Sequence, residues 1–267
     1  IILRDLGHEH RIVARHAHDM VLDESLPVAG ELGRLDYQAI LAANPTHVLI
    51  EWGAPTPPLP ERLLELARER DFDILRFSLL TLHDIRAAVT RLESDLPPTD
   101  RGPEPGYWQA RMDQAWNAPN TDPQGQPLYA PAGRILLIAA TDPLIGITGP
   151  GSWHHQILQS LGGVPAITDG APWMELSAED ILRLAPDAII LLQPRPRDDD
   201  ALTTALTTDL LRDRLGPVAR LDIPALRNNH IALIDDPLAH TPSTAMVALT
   251  DRMRAILHAW SSTNQQP

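Results

Sequence analysis

The segment Ser177 to Gln193, S-A-E-D-I-L-R-L-A-P-D-A-I-I-L-L-Q, restricts the fold of this chain more than any other. Its first half has the apolar spacing of a short amphipathic helix. Pro186 ends that helix, because proline disfavours helical backbone in the residue before it. The five apolar residues at 188–192 then form the continuous run expected of a strand buried on both faces of a parallel sheet. The same plan occurs earlier as D-Y-Q-A-I-L-A-A-N-P-T-H-V-L-I-E-W, Asp36 to Trp52, where Ile40, Leu41 and Pro45 fall opposite Ile181, Leu182 and Pro186. One chain thus contains two copies of one α/β plan.

A second echo supports the first. Q-I-L-Q-S-L-G-G-V-P-A-I-T (Gln156 to Thr168) reads as a helix, a glycine cap and a strand, and so do I-L-R-D-L-G (2–7) and R-I-V-A (Arg11 to Ala14). In the later copy the helix follows an apolar strand, R-I-L-L-I-A-A (Arg134 to Ala140), and a turn-rich loop, T-D-P-L-I-G-I-T-G-P-G-S. The repeat leads us to expect a strand and a loop ahead of Ile1.

Between these landmarks, helices are predicted at 61–70 and 83–96 and a strand at 73–77. The first lobe is expected to span 1–100, and proline-rich chain around one helix near 107–118 makes a connector over 101–130. The second lobe, 131–267, is expected to carry strands near 134–140, 165–168, 188–192 and 230–234. Helices near 153–161, 177–185, 202–215 and 243–260 alternate with them. Such alternation predicts an α/β fold with a parallel sheet in each lobe, helices on both faces and a single helical crossover between the lobes.

Composition removes several classes of function. The chain has no cysteine, so thiol nucleophiles and thiolate metal sites are excluded, and all 22 basic residues are arginine. A net charge of −13 argues against nucleic-acid partners and anionic lipid surfaces. No apolar run approaches the roughly 18–20 residues that span a bilayer.

The run G-I-T-G-P-G-S-W-H-H-Q-I-L-Q-S-L-G-G-V-P, followed by W-M-E-L-S-A-E-D-I-L-R-L-A-P-D-A-I-I-L-L, resembles the second lobe of the substrate-binding proteins of ABC importers for iron-siderophore, haem and cobalamin. L-G-H-E-H-R-I-V-A-R-H-A-H-D, L-P-V-A-G and D-Y-Q-A-I-L-A-A-N-P-T-H-V-L-I-E-W-G resemble the first lobe, so the likeness runs from Ile2 to about Trp260. The resemblance implies two Rossmann-like lobes and a metal chelate held in the cleft between them. It also implies a periplasmic or extracytoplasmic, membrane-anchored location and delivery to a membrane permease. No catalysis and no resident cofactor are implied, and a monomer is expected. The connecting helix, at about 12 residues, is short for that family.

In open parallel sheets ligands bind outside the carboxyl ends of the strands, here the loops 15–20, 52–60, 78–82, 141–153, 169–174, 193–200 and 235–242. Trp52 and Trp173 lie in or beside them and could stack on a flat chelate, with packing in the core as the other reading of each. Trp153 opens a helix, with its ring either ligand-facing or tucked under the loop. Ser152, ending G-P-G-S, offers either an anion site at a helix N-terminus or a plain cap. His16 and His18, two apart in extended chain, could ligate haem iron or a bare metal, or could be exposed loop histidines. Arg195 could pair with a carboxylate or catecholate, and His240 lies in the last of the loops. His8 and His10 are expected to face solvent, as is one of His154 and His155. Glu61 resembles, by position, the first-lobe acid that docks on the permease, although the helix dipole alone favours a glutamate there. A metal-dependent enzyme or chelatase using His16, His18 and His154 is the alternative. G-x-S-x-G, H-E-x-x-H and dinucleotide-binding motifs are all absent.

Overall fold

A computed structural model describes residues 1–31, 33–51, 58–142, 144–194 and 208–263. They form two compact units, Ile1–Gln109 and Ala110–Pro267.

The first unit opens with α1 (Ile2–Asp5), a 3-10 turn over Glu9–Arg11, and the strands β1 (Arg15–His16), β2 (Val28–Glu31) and β3 (Arg34–Leu35). β1 and β2 pair in parallel, β2 and β3 antiparallel. α2 (Tyr37–Ala43) leads to β4 (His47–Glu51), α3 (Glu61–Arg70) to β5 (Asp73–Phe77), and α4 (Leu82–Asp95) follows. β4 and β5 pair in parallel from His47↔Asp73 to Glu51↔Phe77. Ile40, Ile50, Leu63, Leu66 and Phe72 pack together beneath this pair. The strand expected at Arg11–Ala14 is displaced: Ile12 is extended, but the ladder begins only at Arg15, whose N–H donates to Pro27 O.

α5 (Tyr107–Trp116) starts in the first unit and ends in the second. Its Trp108 indole N–H donates to Asp5 O, and its Trp116 indole N–H to Thr250 Oγ1.

In the second unit come β6 (Arg134–Ala140), β7 (Ile145–Thr148), α6 (Trp153–Ser160), β8 (Val164–Pro165), β9 (Trp173–Leu176), α7 (Ala178–Leu184) and β10 (Ala188–Leu192). α8 (Thr208–Arg214), α9 (Pro224–Arg227), β11 (Ile231–Ile234) and α10 (Ala245–Thr263) complete it. The sheet has the order β11-β10-β6-β7-β9, with β8 also pairing β6. β11, β10, β6 and β8 are mutually parallel as expected. β7 and β9 add an antiparallel edge that the alternation rule did not anticipate. Ile138, Ile147, Ile181, Ile189 and Leu191 are among the fully buried residues of the core.

Both helix–proline–strand copies are present. Asp36 and Ser177 cap their helices, accepting from Ala39 N and Asp180 N, and Ser177 with Asp180 completes a capping box. Each helix ends in the left-handed region, at Asn44 (φ 46°) and Ala185 (φ 45°), one residue before the proline.

Candidate ligand-binding site

Around the carboxyl ends of β6 and β10 the second unit assembles most of the residues singled out in its sequence. Trp173 is the first residue of β9, paired with Thr148, and 51% of its surface is exposed. A Cβ at Gly146 would come within 2.5 Å of Trp173 Cζ2 and 3.3 Å of Ala140 Cβ. Only a residue without a side chain lets the indole lie on the strand there, beside the last residue of β6. The benzenoid end of a large ring is therefore seated against the strand, while about half of the residue stays exposed to a partner.

The histidines nearby act as bolts. His154, 2% exposed, donates from Nε2 to Ala239 O at 2.7 Å, which fixes its tautomer. Its pKa is lowered to about 4, chiefly by burial, with the Ala239 bond opposing the fall and His240 adding to it. His240 Nε2 donates to Leu192 O, the last residue of β10, at 2.7 Å, and its ring meets His154 edge-on at 5.2 Å. Its pKa is lowered by burial, which the Leu192 bond opposes. His155 is 5% exposed and donates to Ile167 O, so both residues of the His-His pair are inside and neither faces solvent as expected. Together these bonds tie the loop 235–242 and the start of α6 to the sheet.

Ser152 is buried. Its hydroxyl accepts from His155 N and donates to Gly149 O, as a helix cap does. Trp153, the first residue of α6, keeps its indole N–H buried without a partner among the described residues. Thr148 Oγ1 is in the same state. Sequence reasoning missed Gly146 and Thr148, because I-G-I-T was read as loop. Its alternation between turn residues was the available signal for a strand.

In the first unit His16 and His18 are exposed, with ring centroids 5.5 Å apart. His18 N–H donates to His16 Nδ1, and His18 Nε2 lies 3.4 Å from Glu31. Glu61 is the exposed first residue of α3. Trp52, next after β4, and Arg195 lie outside the described residues. His8, expected at the surface, is only 6% exposed. Among the described residues no three histidine or carboxylate side chains converge to hold a metal ion, and no helix is long and apolar enough to cross a membrane.

Neither a protein-family model nor a curated protein sequence matches the chain. Solved structures do. The periplasmic heme-binding protein HutB of Vibrio cholerae superposes with a TM-score of 0.68 at 18% identity, over 96% of this chain and 94% of that one. The periplasmic vitamin B12-binding protein BtuF of Vibrio cholerae gives 0.64 at 16% identity, over 99% and 94%. An ABC-type Fe3+-hydroxamate transport system protein from Saccharomonospora viridis DSM 43017 gives 0.59 at 20%, over 96% and 88%. The chain has the fold of these binding proteins. At such identities the likeness is one of fold, and it covers nearly the full length of each partner.

Proposed function

We propose that this chain is an extracytoplasmic substrate-binding receptor that captures a metal chelate of siderophore, haem or cobalamin type and delivers it to the permease of an ABC importer. The half-exposed Trp173 indole carries this reading, fixed on Gly146 beside the carboxyl end of β6 in a fold shared with heme-, B12- and hydroxamate-transport proteins. A flat aromatic already seated against a strand meets a macrocycle or catecholate with little loss of side-chain freedom. The histidine-bolted loops around it supply a rigid wall, so the site is formed before the ligand arrives. Trp52, Arg195, His16 and His18 are proposed as further ligand contacts, and Ser152, Trp153 and His240 as the frame of the site. The chelate is cargo, with no resident cofactor and no turnover. The protein works as a monomer in the periplasm or on an extracytoplasmic membrane anchor, and Glu61 is the first-unit acid that meets the permease.

Tryptophan fluorescence titrated with haemin, cyanocobalamin and a ferric hydroxamate tests this. One class should give saturable 1:1 quenching with the ligand recovered unchanged, and Trp173→Ala should weaken it on the order of tenfold. Absence of saturable binding for all three would sink the reading. Charge reversal at Glu61 should leave chelate affinity alone and depress permease-coupled transport.

A further inference from the structure

The wall that Trp173 forms is built on one face of the β7–β9 pair. Thr148 and Trp173 stand opposite one another in this antiparallel ladder, and so do Gly146 and Glu175. Residues opposite each other, or two apart along a strand, project to the same face. Thr148, Trp173 and Glu175 therefore share one face, and Ile145, Ile147, Met174 and Leu176 take the other, which packs into the core. The Trp173 ring crosses over Gly146, which places its benzenoid end beside the position of Glu175.

Glu175 is exposed, and among the described residues no arginine or histidine pairs with it. The exposed Asp142, two residues beyond β6, and Asp169, in the loop ahead of β9, have no basic partner there either. Opposite the ring, Thr148 is 6% exposed and its hydroxyl has no partner among the described residues. A buried hydroxyl is ordinarily satisfied, and this one, being uncharged, suits a carbonyl-type oxygen or an amide N–H.

We infer that the cargo is a chelate without net negative charge, neutral or cationic, that presents amide-like groups: a ferric hydroxamate or a corrinoid, and neither haem nor a ferric catecholate. This rests on the receptor function proposed for the chain. Hydroxamate monoanions balance the charge of ferric iron, and the amide-fringed corrin of cyanocobalamin is neutral. Haem carries propionates, and catecholate dianions leave iron strongly negative. The face of an indole is the negative end of its quadrupole, so an anion laid on this wall meets the ring and the Glu175 carboxylate together, whereas a cation is attracted by both. Covering Glu175 also strips it of water, a cost that an anionic ligand cannot offset. The net charge of −13 acts in the same direction at longer range.

Ligand pairs that differ only in charge decide it. Ferrioxamine B, whose free amine is protonated, is compared with its N-acetyl and N-succinyl forms, which keep the same iron centre and are neutral and anionic. Cyanocobalamin is compared with the product in which a side-chain amide is hydrolysed to a carboxylate. Haemin and a ferric tricatecholate complete the panel, read by tryptophan quenching at low ionic strength. In the series that binds, the anionic member should be weaker than its neutral or cationic relative by at least about fivefold. Glu175→Gln should shrink that ratio to about twofold or less. Glu179→Gln, which removes the same charge from the exposed first turn of α7, should leave it unchanged. The inference is overturned, with the receptor function left standing, by an anionic member that binds as tightly as its neutral parent, or by haemin or the catecholate binding tighter than both neutral classes. A ratio that Glu175→Gln leaves alone, or that Glu179→Gln shrinks equally, overturns it too. Saturable binding by no member of the panel removes the receptor function itself, and the inference with it.

Discussion

β10 and β4 are one element of a repeated plan in two settings. Each follows a capped helix, a left-handed residue and a proline, and each is mostly branched and apolar. β10 lies between two strands and all five of its residues are 0% exposed, whereas in β4 only Ile50 is buried and one edge borders a cavity. Local sequence therefore specifies the strand, and its neighbours decide how much of it leaves water.

The largest test of that contrast is truncation at matched positions. Ile190→Ala removes a side chain packed on all sides and should cost about 2–5 kcal/mol of unfolding free energy. Leu49→Ala, at the corresponding position of β4, removes one that borders the cavity and should cost roughly 1 kcal/mol. Denaturant midpoints at constant slope give both values. Equal costs at the two positions would break the comparison.

Much of this was legible beforehand, for physical reasons. Pro45, Pro186 and the apolar runs after them punctuate the chain strongly enough to place α2, β4, α7 and β10. β7 escaped because Gly146 and Thr148 dilute a four-residue strand inside turn-rich sequence, although its burial is complete. β9 has alternating exposure from Trp173 to Leu176, a half-exposed edge strand whose pairing partner was the strand that had been missed. Arg11–Ala14 has strand composition without a ladder, because pairing needs a neighbour and the neighbouring space is the cavity. Of the site, Trp173 was visible as a residue type; its seat on Gly146 was not, because that contact is between strands.

Acid should separate the two units next. His154 titrates near 6.5 when unfolded and near 4 when folded, so its neutral form is favoured by folding. The unfolded state binds more protons between those values. Stability is thus fully present above about pH 6.5 and is lost as pH falls towards 4, by roughly 3 kcal/mol in all. His240 shifts in the same direction and adds to the loss. Hydrogen exchange at β10 and β11 should accelerate through this window ahead of β4 and β5. His154→Gln, which can still donate to Ala239 O, should flatten the profile; an unchanged profile would assign the acid sensitivity elsewhere.

Within the second unit, Gly146→Val puts atoms where the Trp173 ring rests, while a β-branched residue suits the strand itself. The expected result is a folded protein whose chelate affinity falls on the order of tenfold, close to the Trp173→Ala value and not additive with it. Additive losses would mean that Gly146 acts on the ligand other than through the indole.

The smallest effect compares the two helix ends. Asn44 and Ala185 both occupy the left-handed region, with φ and ψ of 46° and 57° against 45° and 61°, and their N–H groups donate to Leu41 O and Ile181 O. Asparagine tolerates that region, whereas alanine pays about 1–2 kcal/mol for the crowding of its Cβ against the following carbonyl. Glycine removes the crowding but adds freedom to the unfolded chain, worth roughly 0.4–1 kcal/mol. Ala185→Gly should therefore stabilise by about 0.5–1 kcal/mol, and Asn44→Gly should change stability by a few tenths at most. Ala185→Asn falls between them, since it keeps a Cβ and gains the side-chain amide that eases this conformation in the first copy. A destabilised Ala185→Gly would show that the methyl group makes packing contacts worth more than the strain it carries, and that the two caps differ in surroundings as the two strands do.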